Sequence, residues 1–237
     1  MEQITLTPNA IYWILFIGIA LASWLVSAAL ERKFKRYQKV ALKMTGKEVA
    51  EKMLRDNDIY DVKVTCVQGR LTDHYNPTDK TVNLSQDVYS GASVAAAAVA
   101  AHECGHAVQH SLAYGPLSLR SALVPVVSFS SRWVTWIILG GLLLIDAIPH
   151  TGQVLMLIGI VLYATLTLFS LITLPVEINA SQRAVNWLRE AGITDNETTA
   201  MASDALRSAA YTYVVAALSS LATLVYYILI FMGGSRR

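Results

Sequence analysis

The sequence predicts a mainly α-helical integral membrane protein, with about four transmembrane helices and a small α+β region containing a short β-hairpin. Composition gives the first sign. Of 237 residues, 54% are hydrophobic and only 15% charged, against about 25% charged in a typical soluble domain. The second sign is where the charge lies. Fourteen of the 19 Lys and Arg fall between Arg32 and Arg132, three between Arg183 and Arg207, and two at the end. From Trp133 to Gln182 there is no basic residue, and the only acids are Asp146 and Glu177. The third is the set of apolar runs themselves.

The first run, Ala10 to Leu30, has 21 residues without a charge, enough to cross about 30 Å of hydrocarbon as a helix. The preceding MEQITLTPN carries no basic residue and the run is long for a signal peptide, so residues 1–30 read as a permanent anchor. The segment that follows, Glu31-Arg32-Lys33-Phe34-Lys35-Arg36-Tyr37-Gln38-Lys39, is expected on the cytoplasmic side, with the N-terminus outside. Trp133 to Ile148 and Val154 to Leu174 are the next two spans, in a segment 133–175. The short turn Pro149-His150-Thr151-Gly152-Gln153 makes them an antiparallel hairpin that returns the chain to the side it left. A fourth span, about Tyr213 to Met232 within 211–237, completes four crossings. The tail Ser235-Arg236-Arg237 fits an outside placement poorly, which leaves its orientation open.

Two polar stretches lie between the spans, 31–132 and 176–210. In the first, Thr45 and Glu48 have capping-box spacing ahead of a helical pattern through Val49, Met53 and Leu54. Asp61 to Val67 alternates with period two, Thr81 to Leu84 does so briefly, and turn residues lie between, so the two are expected to pair as a hairpin. The second stretch reads as two short helices broken at Gly192, with Thr194 and Glu197 offering another capping box. A net charge of +2 with no basic run interleaved with aromatics excludes nucleic-acid binding. Two cysteines, Cys66 and Cys104, are too few for a disulfide framework to organise the fold.

The chemistry is concentrated in one helix, expected over about 92–111. Ser93 and an alanine-rich run lead into His102-Glu103-Cys104-Gly105-His106, and alanine is the strongest helix former. His102 and His106, four apart, share a helix face and offer two imidazoles to one Zn2+ ion. A catalytic zinc takes three protein ligands and leaves a position open. Glu103 is then placed as the general base that removes a proton from the attacking water. Cys104 points off the His–His face and reads as a buried thiol. Position 112, where a further histidine would mark a metzincin, is Leu112.

Two acids compete as third ligand. A hairpin is an even number of crossings, which brings Glu177 back to the face that holds the histidines. Asp146 lies thirteen residues past Trp133, about 20 Å along a helix and near the opposite interface. Glu177 follows Pro175, expected to end or bend the helix, and a carboxylate at that depth is costly unless paired or metal-bound. Glu177 is favoured and Asp146 is the alternative.

The blocks Asp73-His74-Tyr75-Asn76-Pro77, Val82-Asn83-Leu84-Ser85, Ala100-Ala101-His102-Glu103-Cys104-Gly105-His106-Ala107-Val108-Gln109 and Pro175-Val176-Glu177-Ile178-Asn179-Ala180-Ser181, in this order, resemble the YugP-like bacterial membrane zinc metallopeptidases, from about residue 70 onward. The resemblance implies a gluzincin-like catalytic region with His102, His106 and Glu177 as zinc ligands and Glu103 as base. It also implies a bacterial plasma membrane and protein or peptide substrates associated with it, while the basic segment after the first span and the count of crossings put the expected active site at the cytoplasmic face. More distant HtpX-like peptidases carry an Asp four residues after the ligand Glu, where this chain has Ser181. Gluzincins commonly steady the oxyanion with a Tyr, His or Arg, for which His74, Arg183, Tyr211 and Tyr213 are candidates. His110, on nearly the same face as His106, is a candidate to support the ligands. The strand Thr81 to Leu84 is a candidate to pair with an extended substrate. The sequence leaves an accessory subunit or an oligomer open. Competing readings are a site-2-type intramembrane protease with Asp146 as third ligand, and a non-catalytic zinc-binding scaffold.

Overall fold

The computed structural model describes residues 8–234. Residues 1–7, which bear on the reading of the first span as an anchor, and the Ser235-Arg236-Arg237 tail, on which the C-terminal orientation turns, lie outside the described residues. The elements run α1 (Pro8–Tyr37), α2 (Gly46–Asp56), β1 (Lys63–Val67), β2 (His74–Asn76), β3 (Thr81–Ser85), α3 (Gln86–Tyr89), α4 (Val94–Ser111), α5 (Gly115–Leu144), α6 (Pro149–Glu190) and α7 (Asn196–Gly234). This is the mainly α architecture with a small sheet that the sequence predicts. Helices α1, α5, α6 and α7 are each long and apolar enough to cross a membrane.

The chain divides into two compact units. One comprises the described residues of Met1–Leu25, Leu119–Thr173 and Tyr213–Arg237. Its α5 and α6 form the expected hairpin around Val134, Ile138 and Met156, but the turn falls at residues 145–148, and Pro149–Gln153, expected as the turn, begin α6 instead, proline being well tolerated in a first helical turn. Hydroxyls tie its helices together: Thr165 donates to Ser130 at 2.9 Å, and the Thr167 and Ser220 hydroxyls lie 2.8 Å apart. Such bonds recur between helices in apolar surroundings, where no water competes for the groups. Trp24, Trp136 and Leu143 stand largely exposed, as side chains facing lipid would. The spans differ from expectation in extent. Helix α5 starts at Gly115, well before Trp133, and α6 does not stop at Pro175 but carries through it to Glu190. Proline removes one backbone donor, and the hydrogen bonds on either side suffice to keep the helix whole.

The other unit comprises Val26–Ser118 and Leu174–Thr212. Helix α4 is its axis, with Ala95, Ala97, Ala98, Ala100 and Ala101 all fully buried. Alanine there lets neighbours approach closely: Val49, Ala50 and Met53 of α2, Ala184 and Leu188 of α6 and Ala202 of α7 share one core with it. Burying a side chain such as Met53 contributes about 1.5–3 kcal/mol. Helix α2 begins with the expected capping box, Thr45 and Glu48 each bonding the other's backbone N–H.

The sheet is three-stranded in the order β1-β3-β2. The expected pairing of β1 with β3 exists but is parallel, Lys63 opposite Thr81 and Val67 opposite Ser85. The hairpin is made instead by β2 and β3, Tyr75 opposite Val82. The reason is the length of the 68–80 connection, which holds a third strand of its own and so returns β3 in the direction of β1. Strand β3 is thus paired on both sides. It has no free edge for a substrate, which corrects that expectation; β2 is an edge.

The stretch after Glu177 is not two short helices but the end of α6 and the start of α7. Gly192 is the break as expected, with φ +66°, and the N–H groups of Gly192 and Ile193 turn back to Arg189 and Leu188. Left-handed backbone of this kind costs glycine least. The expected Thr194–Glu197 box is not formed. Asp195 caps α7 by accepting from the Thr198 N–H at 2.8 Å, while Thr194 bonds Thr199.

Candidate active site

Helix α4 begins at Ser93, whose hydroxyl accepts from the Ala96 N–H, and runs unbroken through the His-Glu-Cys-Gly-His segment. His102 and His106 stack edge to face on one side, ring centroids 4.8 Å apart. Glu177 comes to them from α6. Its Oε2 lies 3.2 Å from His102 Nε2 and 3.5 Å from His106 Nε2. The three donor atoms fall within 4.8 Å of one another. Gly105 makes the approach possible: a Cβ there would stand 2.7 Å from the Ala180 carbonyl oxygen of α6, so only glycine lets the two backbones touch.

The far sides of the rings are held by the protein. His106 Nδ1 donates to Gln109 Oε1 at 3.0 Å, and Gln109 Nε2 donates to the Val176 carbonyl and to Asn179 Oδ1. Because the Gln109 amide is oriented by those two donations, its oxygen must be the acceptor. This fixes the His106 proton on Nδ1 and leaves Nε2 with a lone pair. Ser181 Oγ lies 3.1 Å from His102 Nδ1 and serves the other ring in the same way. Burial lowers the His106 pKa, but Glu177, Glu103 and Gln109 outweigh it and hold it above the ordinary value. Two lone pairs and a buried carboxylate converging on one point, each imidazole oriented by a hydrogen bond from behind, suit a zinc ion. Without a cation, a carboxylate as buried as Glu177, 3% exposed, would be costly.

Glu103 is buried too but stands apart from this cluster. Its Oε2 accepts from the Tyr75 N–H at 3.1 Å. Cys104 points away into the core, its thiol donating to the Ala50 carbonyl, and burial holds it well above its ordinary pKa. Asp146 lies in the turn between α5 and α6, in the other unit.

The other predicted site residues fall as follows. His74 is engaged in the sheet, Nδ1 donating to the Thr72 carbonyl and Nε2 accepting from Asn83. Arg183 Nε donates to Asn179 Oδ1, which makes it the outermost member of the chain that orients His106. His110 Nδ1 lies 3.0 Å from the Tyr75 hydroxyl rather than beside a ligand. Tyr211 is half exposed on α7, and Tyr213 belongs to the other unit.

Gln109, Ser181, Gly105 and Tyr75 were given no role from the sequence, Ser181 being noted only as standing where HtpX-like peptidases carry an Asp. A glutamine three residues past a ligand histidine on an alanine helix, and a serine one turn past Glu177, are the signals that could have found the first two. The block Asp73–Pro77 becomes intelligible as well. Asp73 pins Ser85 through its N–H and hydroxyl, His74 pairs with Asn83, Tyr75 meets Glu103, and Asn76 Oδ1 accepts from the Thr78 N–H to close the turn. Burial raises the Asp73 pKa despite the two Ser85 bonds.

The chain is 42% identical over 226 residues to "Putative membrane protease YugP" of Bacillus subtilis (strain 168), covering 93% of this chain and 98% of that protein. No solved structure matches it. The family model described as "Putative neutral zinc metallopeptidase" matches residues 12–232. With that match spanning both units and the two-histidine, one-carboxylate cluster at its centre, the chain belongs to this zinc metallopeptidase family.

Proposed function

We propose that this protein is a membrane-embedded metalloendopeptidase that hydrolyses peptide bonds of membrane or membrane-proximal proteins, with Glu103 as general base and His102, His106 and Glu177 holding zinc. The observation that carries the reading is the position of Glu103. It is buried beside the histidines yet takes no part in the cluster, its carboxylate held by a backbone N–H. A storage or scaffold site has no use for a buried base next to its ligands.

Zinc, when bound, acidifies water and polarises the scissile carbonyl. The chain's own residues do the rest. Ser181 and Gln109 orient the imidazoles. Tyr75 occupies Glu103 Oε2, so Oε1 is the oxygen free to take the proton from the attacking water and deliver it to the leaving amine. The basic segment Arg32–Lys39 belongs to the same compact unit as the site, which supports an active site at the cytoplasmic face.

The test is Glu103→Gln in purified protein. The amide still accepts the Tyr75 N–H but cannot take a proton, so zinc content should be unchanged while peptide cleavage falls by about 10²- to 10⁴-fold. Retained cleavage would remove Glu103 from the mechanism.

A further inference from the structure

We infer that Tyr75 and His110 form a clamp that positions Glu103, separate from the groups that hold the metal ligands. The inference rests on the reading of Glu103 as base, but its observations are independent of the metal cluster. Tyr75 touches α4 at two points. Its N–H donates to Glu103 Oε2 at 3.1 Å, and its hydroxyl lies 3.0 Å from His110 Nδ1, the rings 5.9 Å apart. Glu103 and His110 are seven residues apart, nearly two helix turns, so they lie on one face about 10 Å from each other. Tyr75 lies along that face and joins them.

The need for a second point follows from β2 itself. It is three residues long and an edge strand, bonded on one side only. Tyr75 turns its N–H away from β3, and the group that receives it is Glu103. A strand so short has little of its own to keep that N–H within hydrogen-bonding distance. The phenol–imidazole contact fixes the other end of the residue against α4. The ligand histidines are oriented by Ser181 and Gln109 from α6 and from α4's own next turn, so no member of the two networks is shared. Tyr75 and His110 are positioning residues: they act on Glu103, one through its backbone and the other through the first.

The division gives the test. Residue-resolved amide hydrogen exchange on the zinc-free, full-length protein reads the Tyr75 N–H directly. Tyr75→Phe and His110→Leu should each speed its exchange about five- to tenfold, the scale of one lost hydrogen bond. His110→Asn, whose Oδ1 stands where Nδ1 stood, should leave it protected. In the zinc-loaded protein the first two variants should lower kcat by about 10- to 100-fold, as a misplaced catalytic group does, with KM and zinc content unchanged. The double variant should be no worse than either single one, and His110→Asn should keep its activity. Unchanged exchange, losses that multiply in the double variant, or a loss carried by KM or by zinc would each overturn the clamp. A wild type that cleaves nothing would overturn the peptidase reading instead, because the exchange pattern decides the clamp without any cleavage.

Discussion

Gln109 is fully buried and makes three hydrogen bonds, one to His106 and two to α6. Replacing it by leucine removes the acceptor that fixes the His106 tautomer and both donations to α6. Ser181→Ala does the same for His102 on a smaller scale. Each should weaken zinc binding about 10- to 100-fold, measured by competition with a chromophoric chelator, while cleavage recovers at saturating zinc. Recovery of affinity without the hydrogen bond would show that the rings are oriented by packing alone. At this scale His102, Glu103, His106 and Glu177 could be picked out of the sequence as candidates, because the helix period and the return of the hairpin bring them forward. Their supports could not. The partner of His102 lies 79 residues away, and only the folded chain says which hydroxyl arrives there.

Helices meet at the site because one of them has no side chain at the contact. Gly105→Ala would place a methyl group 2.7 Å from the Ala180 carbonyl, and rigid backbone on both sides cannot absorb it. The variant should lose about 1–3 kcal/mol of stability, the usual cost of overpacking, and zinc content should fall with it as Glu177 is pushed from the histidines. A drop in melting temperature with zinc fully retained would mean that the pair of helices moves as one body. The elements themselves were largely legible: the four apolar helices, the α2 capping box, the break at Gly192 and the alanine helix each have a local signal. What was misjudged was non-local. Parallel pairing of β1 with β3 is settled by a strand hidden in the intervening loop, and the passage of α6 through Pro175 by the packing of residues beyond it. The α7 cap went to Asp195 rather than Thr194, one residue along, where local signals are degenerate.

The molecule as a whole draws its candidate metal centre from two distant stretches of chain within one of its two compact units, and Asp146 sits in the other. Glu177→Ala should therefore take the purified protein from about one zinc per chain to none, and Asp146→Ala should leave it loaded, as read by elemental analysis. The opposite pattern would restore the site-2-type reading, with Asp146 as ligand. The separation has a consequence for the order in which the protein is made. His102 and Glu177 are 75 residues apart, and synthesis at about 5–20 residues per second puts roughly 4–15 s between them. During that interval the motif has left the ribosome without its carboxylate, and the next two apolar helices have yet to follow. A metal centre built this way is incomplete while the chain is being made, and closes only after the hydrophobic hairpin between its two halves has been delivered.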